Sequence, residues 1–177
     1  MRYREAMRIV LTKGSTSDNV AIERDDGSRA GFDFPKKGPV PHDAFHFFVE
    51  HELGMAHGFW GLVASGMDPE AVGAMAAEAG HASAKRAQVP HDHIVELLQA
   101  ERLVECFEAE SWSGGSDDEG IMAMAEPGWA ASHVPVPDGV RDRLGAIREG
   151  IRGFSEQWDL AKPGDSLSLE WMQPGER

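Results

Sequence analysis

The run Val40-Pro41-His42-Asp43-Ala44-Phe45-His46-Phe47-Phe48-Val49-Glu50 constrains the fold more than any other stretch, because read as a helix it leaves almost no face for water. At 3.6 residues per turn, each four-residue step advances roughly 40° beyond a full turn. His42, His46 and Glu50 therefore make a slowly spiralling polar stripe with Asp43 beside it. Phe45, Phe48, Val49 and Leu53 form one apolar face, and Phe47 points the opposite way. A helix with phenylalanines on opposite sides is expected to be enclosed on both. Imidazoles and carboxylates in such surroundings are unfavourable unless paired, hydrogen-bonded or metal-bound. The helix 41–53 is thus the candidate site.

The forty residues before it have the period of strands. Met7, Ile9 and Leu11 alternate with their neighbours, and further alternating runs carry Val20 with Ile22 and Phe32 with Phe34. Asp26-Gly27 between the last two is a hairpin signal. Helical patterns follow. One starts at Asp68-Pro69-Glu70 and turns Val72, Met75 and Ala76 inward, and a second runs to about Trp112 through Ile94, Leu97, Leu98, Val104 and Phe107. Residues 80–90 read as a helix end and connector, Ser113 to Gly120 as a mobile loop, and 126–139 as irregular.

Val140, Leu144, Ile147, Ile151, Phe154 and Trp158 give a long apolar stripe in which Gly145, Gly150 and Gly153 could allow close approach. Ser166 to Met172 alternates like a final strand. The expectation is one α+β domain over 1–177, with a β-rich segment at residues 1–38, a helical segment at 40–160 and a strand at 165–172. Its antiparallel sheet of N-terminal strands, joined by the C-terminal one, packs against the helical middle section.

Charge narrows the partners. A formal net charge of −13 argues against nucleic acid and against an anionic membrane surface, both of which draw on Lys and Arg. No apolar run reaches the ~18 residues of a spanning helix, and the N-terminal residues lack the apolar stretch of a signal peptide, so a cytoplasmic location is expected. The single cysteine, Cys106, stands between glutamates and reads as packing, not as a nucleophile.

The stripe has two chemical readings. Imidazoles four residues apart on a helix can converge on one ion, the logic of the zinc helices. His42, Asp43, His46 and Glu50 are then the candidate metal ligands, for a divalent transition metal such as zinc, iron or manganese. His42 and Glu50 are ~12 Å apart along the axis, so a further ligand must come from elsewhere, and His57, His91, His93 and His133 are the candidates. No glutamate follows the first histidine, which excludes the zinc-protease pattern. Without metal, His46 backed by Glu50 or Asp43 would be a general base, and His46 and Glu50 are the candidate catalytic residues. Against both stands a structural reading, in which Asp43 and His42 serve a helix start and His46 pairs with Glu50.

These residues resemble an uncharacterised group of bacterial proteins that share a Pro-His-Asp-x-x-His-Phe-x-Val-Glu run followed by Gly-Phe-Trp-Gly-Leu. The match is Pro41, His42, Asp43, His46, Phe47, Val49 and Glu50, then Gly58 to Leu62. The resemblance implies a bacterial protein and carries no mechanism. His42-Asp43-x-x-His46 is also similar to the metal motif of ubiquinone-biosynthesis accessory proteins, but Gly58 stands where those carry a glutamate, and the N-terminal strands depart from their mostly helical fold.

Two functions follow. One is a metal or small-molecule site on the helix 41–53, with a small-molecule ligand as partner. The other is a non-enzymatic interaction module or homodimer, in which the stripe is structural.

Overall fold

The computed structural model describes residues 6–86, 92–115 and 117–174, with the side chains of 81–86, 92 and 93 left out. Four strands form one antiparallel sheet: β1 (Met7–Thr12), β2 (Ser17–Glu23), β3 (Arg29–Pro35) and β4 (Ser166–Trp171), in the order β3-β2-β1-β4. The helices α1 (His42–Leu53), α2 (Phe59–Ala64), α3 (Pro69–Arg86), α4 (Asp92–Ser113), α5 (Asp118–Ala131) and α6 (Val140–Leu160) lie between β3 and β4 in the chain. The protein is α+β, and the C-terminal strand joins the N-terminal ones as its alternation predicts.

Register follows burial. Ile9 stands between Ile22 and Leu169, and Leu11 between Val20 and Leu167, so apolar side chains share one face across the three strands. That face packs on helices, while the alternate residues Arg8, Asn19 and Glu170 face out. Trp171 closes the edge of the inner face.

Helix α1 is enclosed on both sides. Phe45 and Val49 belong to an all-helical core with Leu103, Phe107, Ile121, Trp129, Leu144 and Ile147. Ala44 and Phe47 belong to the core beneath the sheet, with Ile9, Leu11, Val20, Trp60 and Trp158. Phe48 touches both. The helix ends at Gly54, whose φ of 65° is the left-handed conformation that lets its N–H reach back to the carbonyl of His51. Helix α6 joins the same two cores along its length, giving Leu144, Ile147 and Ile151 to one and Phe154 and Trp158 to the other.

Two expectations change. The loop after α4 is shorter than its composition suggests, because Asp117 caps α5 by accepting the N–H of Gly120 at 2.8 Å, with Asp118 and Glu119 in the first turn. Helix α5 also runs on through Pro127 into the segment expected to be irregular. Burying Ile121, Met122 and Trp129 at ~1.5–3 kcal/mol each outweighs the ~3 kcal/mol that an interior proline costs. The end of the connector, at 87–91, lies outside the described residues.

Of the three glycines of α6, one makes the close approach. A Cβ on Gly150 would lie 2.4 Å from Cδ1 of Phe48, whereas nothing stands within 4 Å of one on Gly145 or Gly153. Gly150→Ala should therefore destabilise the protein by about 1–3 kcal/mol through overpacking. Gly145→Ala, on the same helix, should stabilise it by up to ~1 kcal/mol. Denaturant midpoints of the two variants check this, and equal shifts would remove the Phe48 contact as the cause.

Candidate metal centre

His42 and His46, one turn apart on α1, turn their Nε2 atoms toward Glu101 of α4. The two Nε2 atoms are 3.1 Å apart, Glu101 Oε2 is 2.9 Å from that of His46, and 3.8 Å separates it from that of His42. Among the described residues this is the one group of three or more such side chains whose ligand atoms converge closely enough to hold a metal ion. A triangle with those sides has its centre about 1.9 Å from each corner, close to the ~2.0–2.2 Å of zinc–nitrogen and zinc–oxygen bonds. His42, His46 and Glu101 are thus the side chains that could hold an ion.

The other ring nitrogens point away, toward carboxylates. Nδ1 of His42 meets Glu108, one heptad beyond Glu101 on α4. Nδ1 of His46 is fully buried without a hydrogen bond, and the nearest acid is Glu50, whose Oε1 stands 3.7 Å away. A carboxylate at Nδ1 holds the proton there and leaves the Nε2 lone pair for an ion.

Glu50 is completely buried. Its Oε1 accepts the N–H of Phe59 and its Oε2 that of Trp60 at 3.0 Å, which fastens the start of α2 to α1. Gly58 makes room for this, since a Cβ there would lie 2.3 Å from Oε1. The indole of Trp60 adds a second tie by donating to the carbonyl of Asp43 at 3.0 Å.

Electrostatics follow from this packing. Burial works against protonating His42, but the neighbouring carboxylates of Glu101 and Glu108 prevail and raise it to about 9. At His46 burial is likewise overcome, by Glu101 and Glu50, and the imidazole is raised to about 10. Burial alone would raise Glu101, yet the two imidazoles hold it well below the usual carboxylate range. Asp43 is pushed up by burial, against the attraction of His46 and His42. Burial and Glu105 push the Cys106 thiol up to about 11, which suits a packing role.

The triangle borders a cavity of about 750 Å³ whose further walls include Phe59 from α2, Ala76 from α3 and Leu97 from α4. Asp43 and Lys37 also border it. An ion held by three side chains would keep coordination positions free on that side.

Of the residues the sequence singled out, His42 and His46 fall in the triangle, while Asp43 and Glu50 stand beside it. Glu50 has both oxygens engaged by backbone N–H groups. The third member is Glu101 and none of the expected histidines. His57 instead lies near Glu96, its Nδ1 3.7 Å from that carboxylate. His133 is exposed after α5, and His91 and the side chain of His93 lie outside the described residues. Glu101 did leave a trace in the sequence: Leu97, Glu101, Val104 and Glu108 are spaced four, three and four, which puts two acids on an apolar helix face.

The chain matches no protein-family model, no curated protein and no solved structure. The likeness of its Pro-His-Asp run to a bacterial group thus rests on the quoted residues alone. Among the described residues no helix is long and apolar enough to cross a membrane.

The shifted groups give the metal-free protein a defined pH response. Both histidines are raised above 6.5, so their contribution is complete below that pH and is lost as pH rises through 9 to 10. Glu101 is depressed below 4.5, so its contribution is present above that pH and lost in acid. In chelator, the urea midpoint should hold up to about pH 6.5 and then decline toward pH 10. Glu101→Gln should flatten that decline. A level or rising midpoint across this range would contradict the arrangement.

Proposed function

We propose that the chain binds one divalent transition metal through Nε2 of His42, Nε2 of His46 and one oxygen of Glu101. Its remaining coordination positions are then offered to a small molecule in the adjoining cavity. The observation that carries this reading is the convergence of three ligand atoms from two helices on one point, with the far nitrogen of each imidazole facing a carboxylate. Two imidazoles and a carboxylate suit zinc, iron or manganese. Three protein ligands with an open side describe a reactive centre, whereas structural zinc sites are closed by four.

In this reading His46 would be the central ligand, Glu108 and Glu50 would orient the two rings, and Asp43, which borders the same cavity, would be the acid available there to hold or release a proton. A metal bound there would supply Lewis acidity. The chain's own groups hold the ion, shape the cavity and set its charge. The rival reading, a non-enzymatic interaction or homodimeric module, asks for a histidine packed and satisfied within its own segment. His46 instead borders a cavity and meets a carboxylate 55 residues away.

Elemental analysis of tag-free protein purified without chelator tests the proposal. About one equivalent of transition metal is expected, absent from His46→Ala and from Glu101→Ala. Glu108→Gln should keep the site but weaken it by about 10–100-fold. Uptake should also release protons and strengthen as pH rises, which calorimetry in buffers of different ionisation enthalpy detects. No metal after supplementation, in wild type and variants alike, would leave the stripe as a structural device.

A further inference from the structure

A second cavity, of about 530 Å³, lies against the first and is unused by the metal reading. Lys37, His42 and Asp43 line both, so the ring that offers Nε2 to the metal triangle also forms a stretch of this neighbouring wall. Its size falls within the ~300–1,000 Å³ of small-molecule sites. Phe34, Pro39, Val40 and Phe45 make much of the remaining surface apolar.

Two observations say what would fill it. The first is Trp112 on its rim. This side chain is 71% exposed and is the one aromatic among the large exposed apolar residues of the described chain. Its ring lies along the loop at Gly38, where a Cβ would come 3.7 Å from Cζ2. An indole held against glycine at the mouth of an apolar cavity is a ready stacking surface.

The second is charge. Lys36 donates to Asp18 at 2.5 Å and His42 is engaged by Glu108, whereas Lys37 has no ion pair or hydrogen bond among the described residues. In a chain of net charge −13, an unpaired cation between two cavities favours an anion there. Of the four acids on this wall, Asp18 is engaged by Lys36 and Glu108 by His42. Asp159 on the α6 side repels an anion turned the other way, and Asp43 at the junction is opposed by Lys37 and, in the metal reading, by the charge of the ion.

We propose that this cavity holds the apolar, preferably aromatic, body of a small carboxylic acid whose carboxylate lies beside Lys37 and reaches the metal of the adjoining cavity. The assignment rests on the metal reading for its last step and on Trp112 and Lys37 for the rest. It defines the substrate class as an acid with a flat apolar body. Acetate, with no such body, can use only the charged end.

The test loads the full chain with Co(II) and titrates it with 1-naphthoate and with acetate, followed by calorimetry and the visible cobalt bands. Naphthoate should bind at least about tenfold more tightly than acetate, and both should perturb the bands. Trp112→Ala should weaken naphthoate by about tenfold while leaving acetate and the cobalt content unchanged. Lys37→Ala should weaken both acids. Both substituted side chains are exposed, so folding should survive. Naphthoate binding no better than acetate, or unaffected by Trp112→Ala, on protein carrying one equivalent of cobalt would overturn the proposal. If the chain takes up no cobalt, the metal reading fails by itself. Trp112-dependent naphthoate binding to that protein would then support the cavity assignment, and its absence would overturn it.

Discussion

A helix enclosed by apolar neighbours on two sides must satisfy its polar side chains against one another or against the elements packed on it. Helix α1 is in that position, with Phe45 and Val49 in the helical core and Ala44 and Phe47 in the core under the sheet. Its stripe of His42, His46 and Glu50 runs along the remaining strip of surface, where α2 and α4 approach. Both helices answer it. The first two N–H groups of α2 go to Glu50, and the acids of α4 go to the imidazoles. The site is therefore a consequence of how the two cores meet, and each polar group on it doubles as a tie between elements.

Glu50 shows how tightly stability and site geometry are joined. Its carboxylate satisfies backbone donors that would otherwise be buried without partners, a loss worth ~1–3 kcal/mol for each such group. The same carboxylate stands 3.7 Å from Nδ1 of His46, close enough to favour its proton and bias the ring's other nitrogen toward the cavity. Gly58 has to be a glycine for this to hold, because any Cβ would overlap the carboxylate. A change at Gly58 or Glu50 would thus loosen α2 and misalign His46 together. Glu108 offers a cleaner handle, since it reaches His42 from a partly exposed position on α4.

Much of this was legible in the residues, and the limits have physical causes. Two-sided burial of α1 could be read from phenylalanines on opposing faces, and the sheet from strict alternation at both ends of the chain. His42 and His46 were legible because a four-residue step is a local, helical relation. Glu101 was not, because its partnership depends on how α4 crosses α1, and sequence spacing does not encode a crossing. Its place on the apolar face of α4 was the available clue. Helix α5 was hidden for a different reason: Pro127 and Gly128 read as breakers, and only the buried positions of Ile121, Ala125 and Trp129 show what overrides them.

The charge balance of the triangle argues for one ion in place of several protons. Glu101, Glu108 and Glu50 surround the two imidazoles, and this pull toward positive charge raises both rings despite their burial. Protons alone fit the pull poorly. In the metal-free protein both rings are held protonated by these acids, which sets N–H groups against each other at Nε2 atoms 3.1 Å apart, a contact the carboxylates outweigh but do not remove. A divalent ion held by His42, His46 and Glu101 would bring the charge of two protons to a single point between the three ligand atoms. It would satisfy the carboxylates without that contact and would take up the lone pairs of both rings. The arrangement of acids that makes the histidines basic is the same one that would draw a divalent ion to the triangle.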